Sequence, residues 1–204
     1  MRLSRPTHVR KSNRSSGWMS EFTEEIPGQI AAGIKRLGDG EYTFYSIYPL
    51  PPDAAYDETV YPDEWIQTTG TAPDRLTVEI RRLDPDGSYR VYTVGHSEAA
   101  DETAETEPIH NGDNTYHVRP AEVLTAAEAI DLFRHYYEHH ALPAGWHLRQ
   151  QAEFTTPADG PAPAGKSAAG TADTASGSPA AARTQDAAHK DVSAGKPQQQ
   201  RGTN

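Results

Sequence analysis

Residues 76–95 constrain the fold more than any other stretch. Leu76, Val78 and Ile80 alternate with Thr77, Glu79 and Arg81, the period-two pattern of a strand with one buried face and one wet face. Asp84-Pro85-Asp86-Gly87 follows, a turn with proline at its favoured position and glycine behind it. Tyr89, Val91 and Thr93 then alternate against Arg90, Tyr92 and Val94, so the chain returns as an antiparallel partner. A lone hairpin is marginal in water and needs more strands or a helix to cover its apolar face.

Residues 125–140 supply the cover. Thr125-Ala-Ala-Glu128 is a capping box, in which the threonine oxygen takes a free backbone N–H and the glutamate reaches back to the cap residue. Ala126, Ala129, Ile130, Phe133, Tyr137 and His140 follow a helical stripe. Pro143 and Gly145 stop the helix, and Trp146 and Leu148 open a last short strand or clasp.

Other strands are read from shorter signals. Ile30, Ala32 and Ile34 alternate, and Asp39-Gly40 then reads as a hairpin turn. Residues 41–48 are bulky on both alternating sets, as in a strand inside a sheet, and Pro49, Pro51 and Pro52 end them. Residues 53–74 read as irregular, with Trp65-Ile66 capping the core as a helical turn or a strand. A polar loop over 96–113 leads through the turn Asn111-Gly112-Asp113-Asn114 into a short strand stopped by Pro120. The pattern predicts an α+β fold: an antiparallel sheet of about five strands with one main C-terminal helix packed on one face.

Composition divides the chain in three. Residues 1–18 hold five basic and no acidic residues and no apolar period, which predicts a disordered basic arm. Met19 would make a natural start of its own, leaving the preceding residues as an extension. Residues 19–157 form the single expected domain, with 25 acidic against 9 basic side chains. Residues 158–204 are an Ala/Gly/Pro/Ser-rich tail that cannot offset its ordering entropy of ~1–2 kcal/mol per residue, so it is expected to be disordered.

The net charge of −10 opposes nucleic acid and anionic lipid and steers basic partners. No apolar run approaches the ~18 residues of a membrane span, and no apolar stretch follows the basic N-terminus as in a secretory signal. The absence of cysteine removes disulfides, thiolate zinc sites and cysteine nucleophiles, and fits a reducing cytoplasm.

His135-Tyr-Tyr-Glu138-His139 matches His-x-x-Glu-His, two zinc-spaced histidines with a glutamate that could act as general base. On the helix both histidines fall well away from the stripe centred near Phe133, and no downstream glutamate after Glu153 stands ready as a further ligand. The expectation is a solvated helix face without metal or cofactor. The scattered tyrosines Tyr42, Tyr45, Tyr48, Tyr56, Tyr61, Tyr89 and Tyr92 suit core and sheet surface, or a small-molecule pocket if they line one face. Glu98, Asp101, Glu102, Glu105 and Glu107 form the densest acidic run and are the expected binding residues for a basic protein.

Val123-Leu-Thr-Ala-x-Glu-Ala-x-x-x-Phe133, followed by Leu142-Pro-x-Gly-Trp146-x-Leu-Arg149, resembles the closing helix of toxin-neutralising immunity-type proteins. The order of elements is similar to that of small actinobacterial α+β proteins. The resemblance implies a helix with a proline exit packed on an antiparallel sheet, and an acidic face that opposes a basic toxin. The expected function is a non-enzymatic protein-interaction domain. The alternatives are a metal-dependent hydrolase using His135, Glu138 and His139, and a small-molecule-binding domain.

Overall fold

The computed structural model describes residues 6–51, 55–57, 62–97 and 103–158, all inside the compact unit Met1–Asp173. The strands are β1 (His8–Ser12), β2 (Ser16–Trp18), β3 (Phe44–Pro49), β4 (Trp65–Thr71), β5 (Arg75–Leu83), β6 (Ser88–His96), β7 (Glu107–Asn111), β8 (Asn114–Val118) and β9 (Trp146–Pro157). The α-helices are α1 (Ile26–Lys35) and α2 (Ala126–His139). Seven strands form one sheet in the order β2-β1-β3-β4-β5-β6-β9, and β7 and β8 form a separate hairpin. Every pairing in the sheet is antiparallel. The α+β class and the antiparallel sheet are as expected; the strand count and the single helix are not.

The β5–β6 hairpin closes through the expected turn, with Asp84 N–H donating to the Ser88 carbonyl at 2.9 Å and Gly87 at φ +78. Arg82 and Arg90 both pair with Asp84, and Tyr92 donates to the same carboxylate.

Residues 30–34, read as a strand, belong instead to α1. Ile26, Ile30 and Ile34 recur every four residues, lie on one helical stripe and are all buried. The period-two reading caught only part of this spacing. Pro27 sits in the first turn, where its missing N–H has no intrahelical partner to lose. Gly33 lets β3 come close: a Cβ there would lie 2.3 Å from the ring of Tyr45. The Asp39-Gly40 turn therefore joins a helix to β3, not two strands.

Two further segments differ from expectation for one reason: their side chains are polar. Residues 65–71 form β4, a central strand that is buried from Trp65 to Gly70. The expected disordered arm is, from Pro6 onward, ordered; β1 lies between β2 and β3 and buries His8 and Val9. Met19 is buried too, and a chain starting there would lack both strands. Residues 1–5 and 159–204 lie outside the described residues, and Ala158 is exposed.

Both helices pack on one face of the sheet, α2 against β3, β4 and β5 and against α1. Thr125 and Glu128 form the capping box, with Glu128 N–H donating to Thr125 Oγ1 at 3.3 Å and Thr125 N–H donating to Glu128 Oε2 at 2.8 Å. The buried stripe is Ala126, Ala129, Leu132, Phe133 and Tyr136, rotated from the expected one. Ile130 and Tyr137 lie at its margin, and His140 is an exposed cap residue with φ 52. Phe133 stacks on Tyr45, ring centroids 5.7 Å apart.

The other face of the sheet is not the wet face that alternation predicts. Thr77 and Arg81 are buried there. Arg81 donates to the Asp63 carbonyl at 2.7 Å and to Thr156 Oγ1 at 2.8 Å, under the ring of Tyr89 at 4.8 Å. The β7–β8 hairpin covers one end of β4, where Asn111 Nδ2 donates to the Gly70 carbonyl at 2.7 Å and Thr71 Oγ1 to the His110 carbonyl at 2.6 Å.

Candidate functional site

On the face away from the helices, a line of polar side chains crosses the whole sheet. In register they are Ser16, Lys11, Ser46, Gln67, Glu79, Thr93 and Arg149, each directly opposite the next. Residues that oppose one another across strands share a face, so the seven side chains form one row. Phe44, Thr69 and Thr77 flank it on the side of the β7–β8 hairpin. Val9, Tyr48, Trp65 and Val91 flank it on the other side, packed with Leu50, Tyr56 and Phe154.

The Arg149 end of the row is internally satisfied. Glu122, fully buried in a one-turn 3-10 helix (Pro120–Glu122), takes both arms of the Arg149 guanidinium, at 2.5 and 2.8 Å. It also accepts the Arg119 backbone N–H at 3.0 Å. Bidentate pairs of this kind are among the stronger side-chain contacts, and the Glu122 bond raises the Arg149 pKa. Thr93 Oγ1 accepts from Arg149 Nη2 at 3.2 Å and from Gln151 Nε2 at 2.9 Å. Gln151 Nε2 also donates to Glu79 Oε1 at 2.7 Å.

Glu79 has a different environment. Desolvation pushes its pKa up to about 7, against the opposing pull of Gln151 and Arg149 and with added repulsion from Glu153 and Glu122. The residue as a whole keeps some solvent contact, while Ser46, Gln67 and Thr93 beside it in the row are buried. Opposite Glu79, Gln67 is only 3% exposed and its amide Nε2 has no partner in the protein. Thr77 Oγ1 and Trp65 Nε1, both 2% exposed, are unpartnered as well. Buried donors without acceptors are uncommon and cost about 1–3 kcal/mol each. Three of them lie around the Glu79 carboxyl, and Tyr45 Oη and Tyr136 Oη are likewise unpartnered in the helix-side core.

The residues singled out from the sequence lie elsewhere. Glu98, Asp101 and Glu102 are outside the described residues. Glu105 is exposed, and Glu107 begins β7 and pairs with Arg75 at 3.6 Å. The rings of His135 and His139 lie 4.4 Å apart, tilted by 50°, with Glu138 beside His139 at 3.7 Å. Glu138 and His139 are exposed, and no set of three side chains suited to a metal ion occurs among the described residues. The described tyrosines do not gather on one exposed face: Tyr45 lies in the helix-side core, Tyr48 in the opposite cluster, and Tyr89 and Tyr92 lie against Arg81 and Arg82, while Tyr61 is outside the described residues.

Sequence reasoning missed Gln67, Glu79, Thr93 and Arg149 as a group. One signal was available: the Asp84–Gly87 turn places Glu79 opposite Thr93 once its hairpin is drawn. The remaining members need the register of strands far apart in the chain.

Comparison of the chain with protein-family models, curated proteins and solved structures returned no match. No helix among the described residues is long and apolar enough to cross a membrane.

Proposed function

We propose that this chain is a non-enzymatic binding domain that holds a small polar ligand on the row of side chains centred on Gln67 and Glu79. The observation that carries this reading is the buried, unpartnered Gln67 amide facing Glu79 across the β4–β5 pair. An isolated fold gains nothing from that amide; a ligand acceptor would satisfy it. A cysteine-free chain suits a reducing cytoplasm as the place of action.

A thermal-shift screen of small polar metabolites tests the proposal, using the wild type beside Gln67→Leu. The variant removes the unmet donor, so the unliganded protein should become more stable by about 1–3 kcal/mol. A ligand at a hundred times its Kd should stabilise the wild type by about 2.7 kcal/mol and leave the variant unmoved. A less stable Gln67→Leu, with hits that act equally on both proteins, would remove the reading.

The excess of acids over bases in residues 19–157 favours a second reading, an immunity-type domain that meets a basic protein through Glu98, Asp101, Glu102, Glu105 and Glu107. Reversing these five charges should then abolish salt-sensitive binding to that protein. Binding that survives the reversal sinks this site.

A further inference from the structure

The chemistry of the row narrows the class of ligand, an inference that rests on the small-ligand reading above. Gln67 and Glu79 occupy the middle of the row. Lys11 stands two strands beyond Gln67, and Arg149 stands two strands beyond Glu79. An anion seated at the centre would face the Glu79 carboxyl, with Glu122 and Glu153 acting on the same point. Arg149 cannot compensate fully, because Glu122 already holds its guanidinium by both arms. A cation meets the opposite difficulty. It would leave the buried Gln67 Nε2 without an acceptor.

An uncharged group meets both demands. A carbonyl oxygen would accept from the unpartnered Gln67 Nε2, and an adjacent N–H would donate to Glu79. We infer that the ligand presents a neutral amide-type edge, an acceptor beside a donor, to Gln67 and Glu79. Primary amides, lactams and ureas carry such an edge. A carboxylate accepts the N–H, and a carboxylic acid can both accept it and donate to the carbonyl. The pairing therefore survives titration of Glu79 near neutrality, which a cation's pairing would not.

Three probes of one shape and different head groups test this: benzamide, benzoate and benzamidinium. Each is titrated into the full ¹⁵N-labelled chain and followed through the backbone amide signals of residues 66–68 and 78–80, which wild type and variants share. Benzamide is expected to shift them saturably, at least tenfold tighter than either charged probe. Gln67→Leu should lose the response while keeping a cooperative melt. Gln67→Glu, which sets two carboxyls side by side, should turn the preference toward benzamidinium. If benzoate or benzamidinium binds the wild type more tightly than benzamide, and Gln67→Leu abolishes that binding, the amide edge is wrong and the ligand site stands. If none of the three moves these signals saturably, both fall.

Discussion

His8 and Glu79 titrate in opposite senses, and their effects on stability overlap. Burial, with His140 close by, lowers His8 from 6.5 to about 4; its ring lies 4.4 Å from Tyr137 and 5.1 Å from His140. Between pH 6.5 and 4 the unfolded chain therefore takes a proton at His8 that the folded chain refuses, and stability falls as pH falls. The full effect is on the order of 3 kcal/mol. Glu79 is raised from 4.5 to about 7, so its folded state keeps a proton that the unfolded chain releases. Its contribution is complete below pH 4.5 and is lost as pH rises through 7. The two slopes oppose each other between pH 4.5 and 6.5. In urea unfolding across pH 4–8, His8→Gln should leave a stability that declines with rising pH. Glu79→Gln should leave one that declines on acidification. Unchanged slopes in both variants would refute this assignment. Neither residue announced its state in the sequence: Glu79 sat in an alternation that reads as wet, and His8 in a basic stretch that reads as unstructured.

Among the elements, α2 and the β5–β6 hairpin were legible because each carries its own boundary signals: a capping box in one, a proline–glycine turn in the other. α1 was misread because Ile30, Ala32 and Ile34 satisfy a period of two while Ile26, Ile30 and Ile34 satisfy a helical one, and only the longer window separates them. β4 escaped because Gln67, Thr68 and Thr69 look like loop; their burial comes from the layers on both sides, which no local pattern records. The helix carries the clearest element-level prediction. Phe133 is fully buried against Tyr45, so Phe133→Ala should cost about 3–5 kcal/mol, read as a lower denaturant midpoint with an unchanged slope. Thr125→Ala removes only the cap and should cost about 1 kcal/mol. Equal losses from the two would mean that α2 is not held chiefly by its buried stripe.

For the molecule as a whole, the sheet order puts the N-terminal pair β2-β1 at one edge and β9 at the other. A chain beginning at Met19 would turn β3 into an edge strand and uncover Ile47 and Tyr48. Burial of Val9 alone contributes about 1.5–3 kcal/mol, and an unpaired apolar edge invites association. The truncated chain is therefore expected to melt at a markedly lower temperature and to elute as aggregates. An unshifted melt and a monomeric elution would show that β1 and β2 are dispensable. The polar row belongs to this scale as well. It joins side chains from Ser16 to Arg149 through six separate pairings, which explains why the members are individually unremarkable in the sequence and coherent only in the sheet.

Strands pack about 4.8 Å apart, so the row has a metric. Gln67 and Glu79 are one spacing apart, whereas Lys11 and Arg149 are separated by five, roughly 24 Å. A compact molecule seated at the centre touches neither cation. A longer one reaches the ends of the row only about two spacings beyond the centre, where Glu122 already holds Arg149 by both arms. Affinity along a homologous series of chain lengths within that span should therefore gain no ionic contribution.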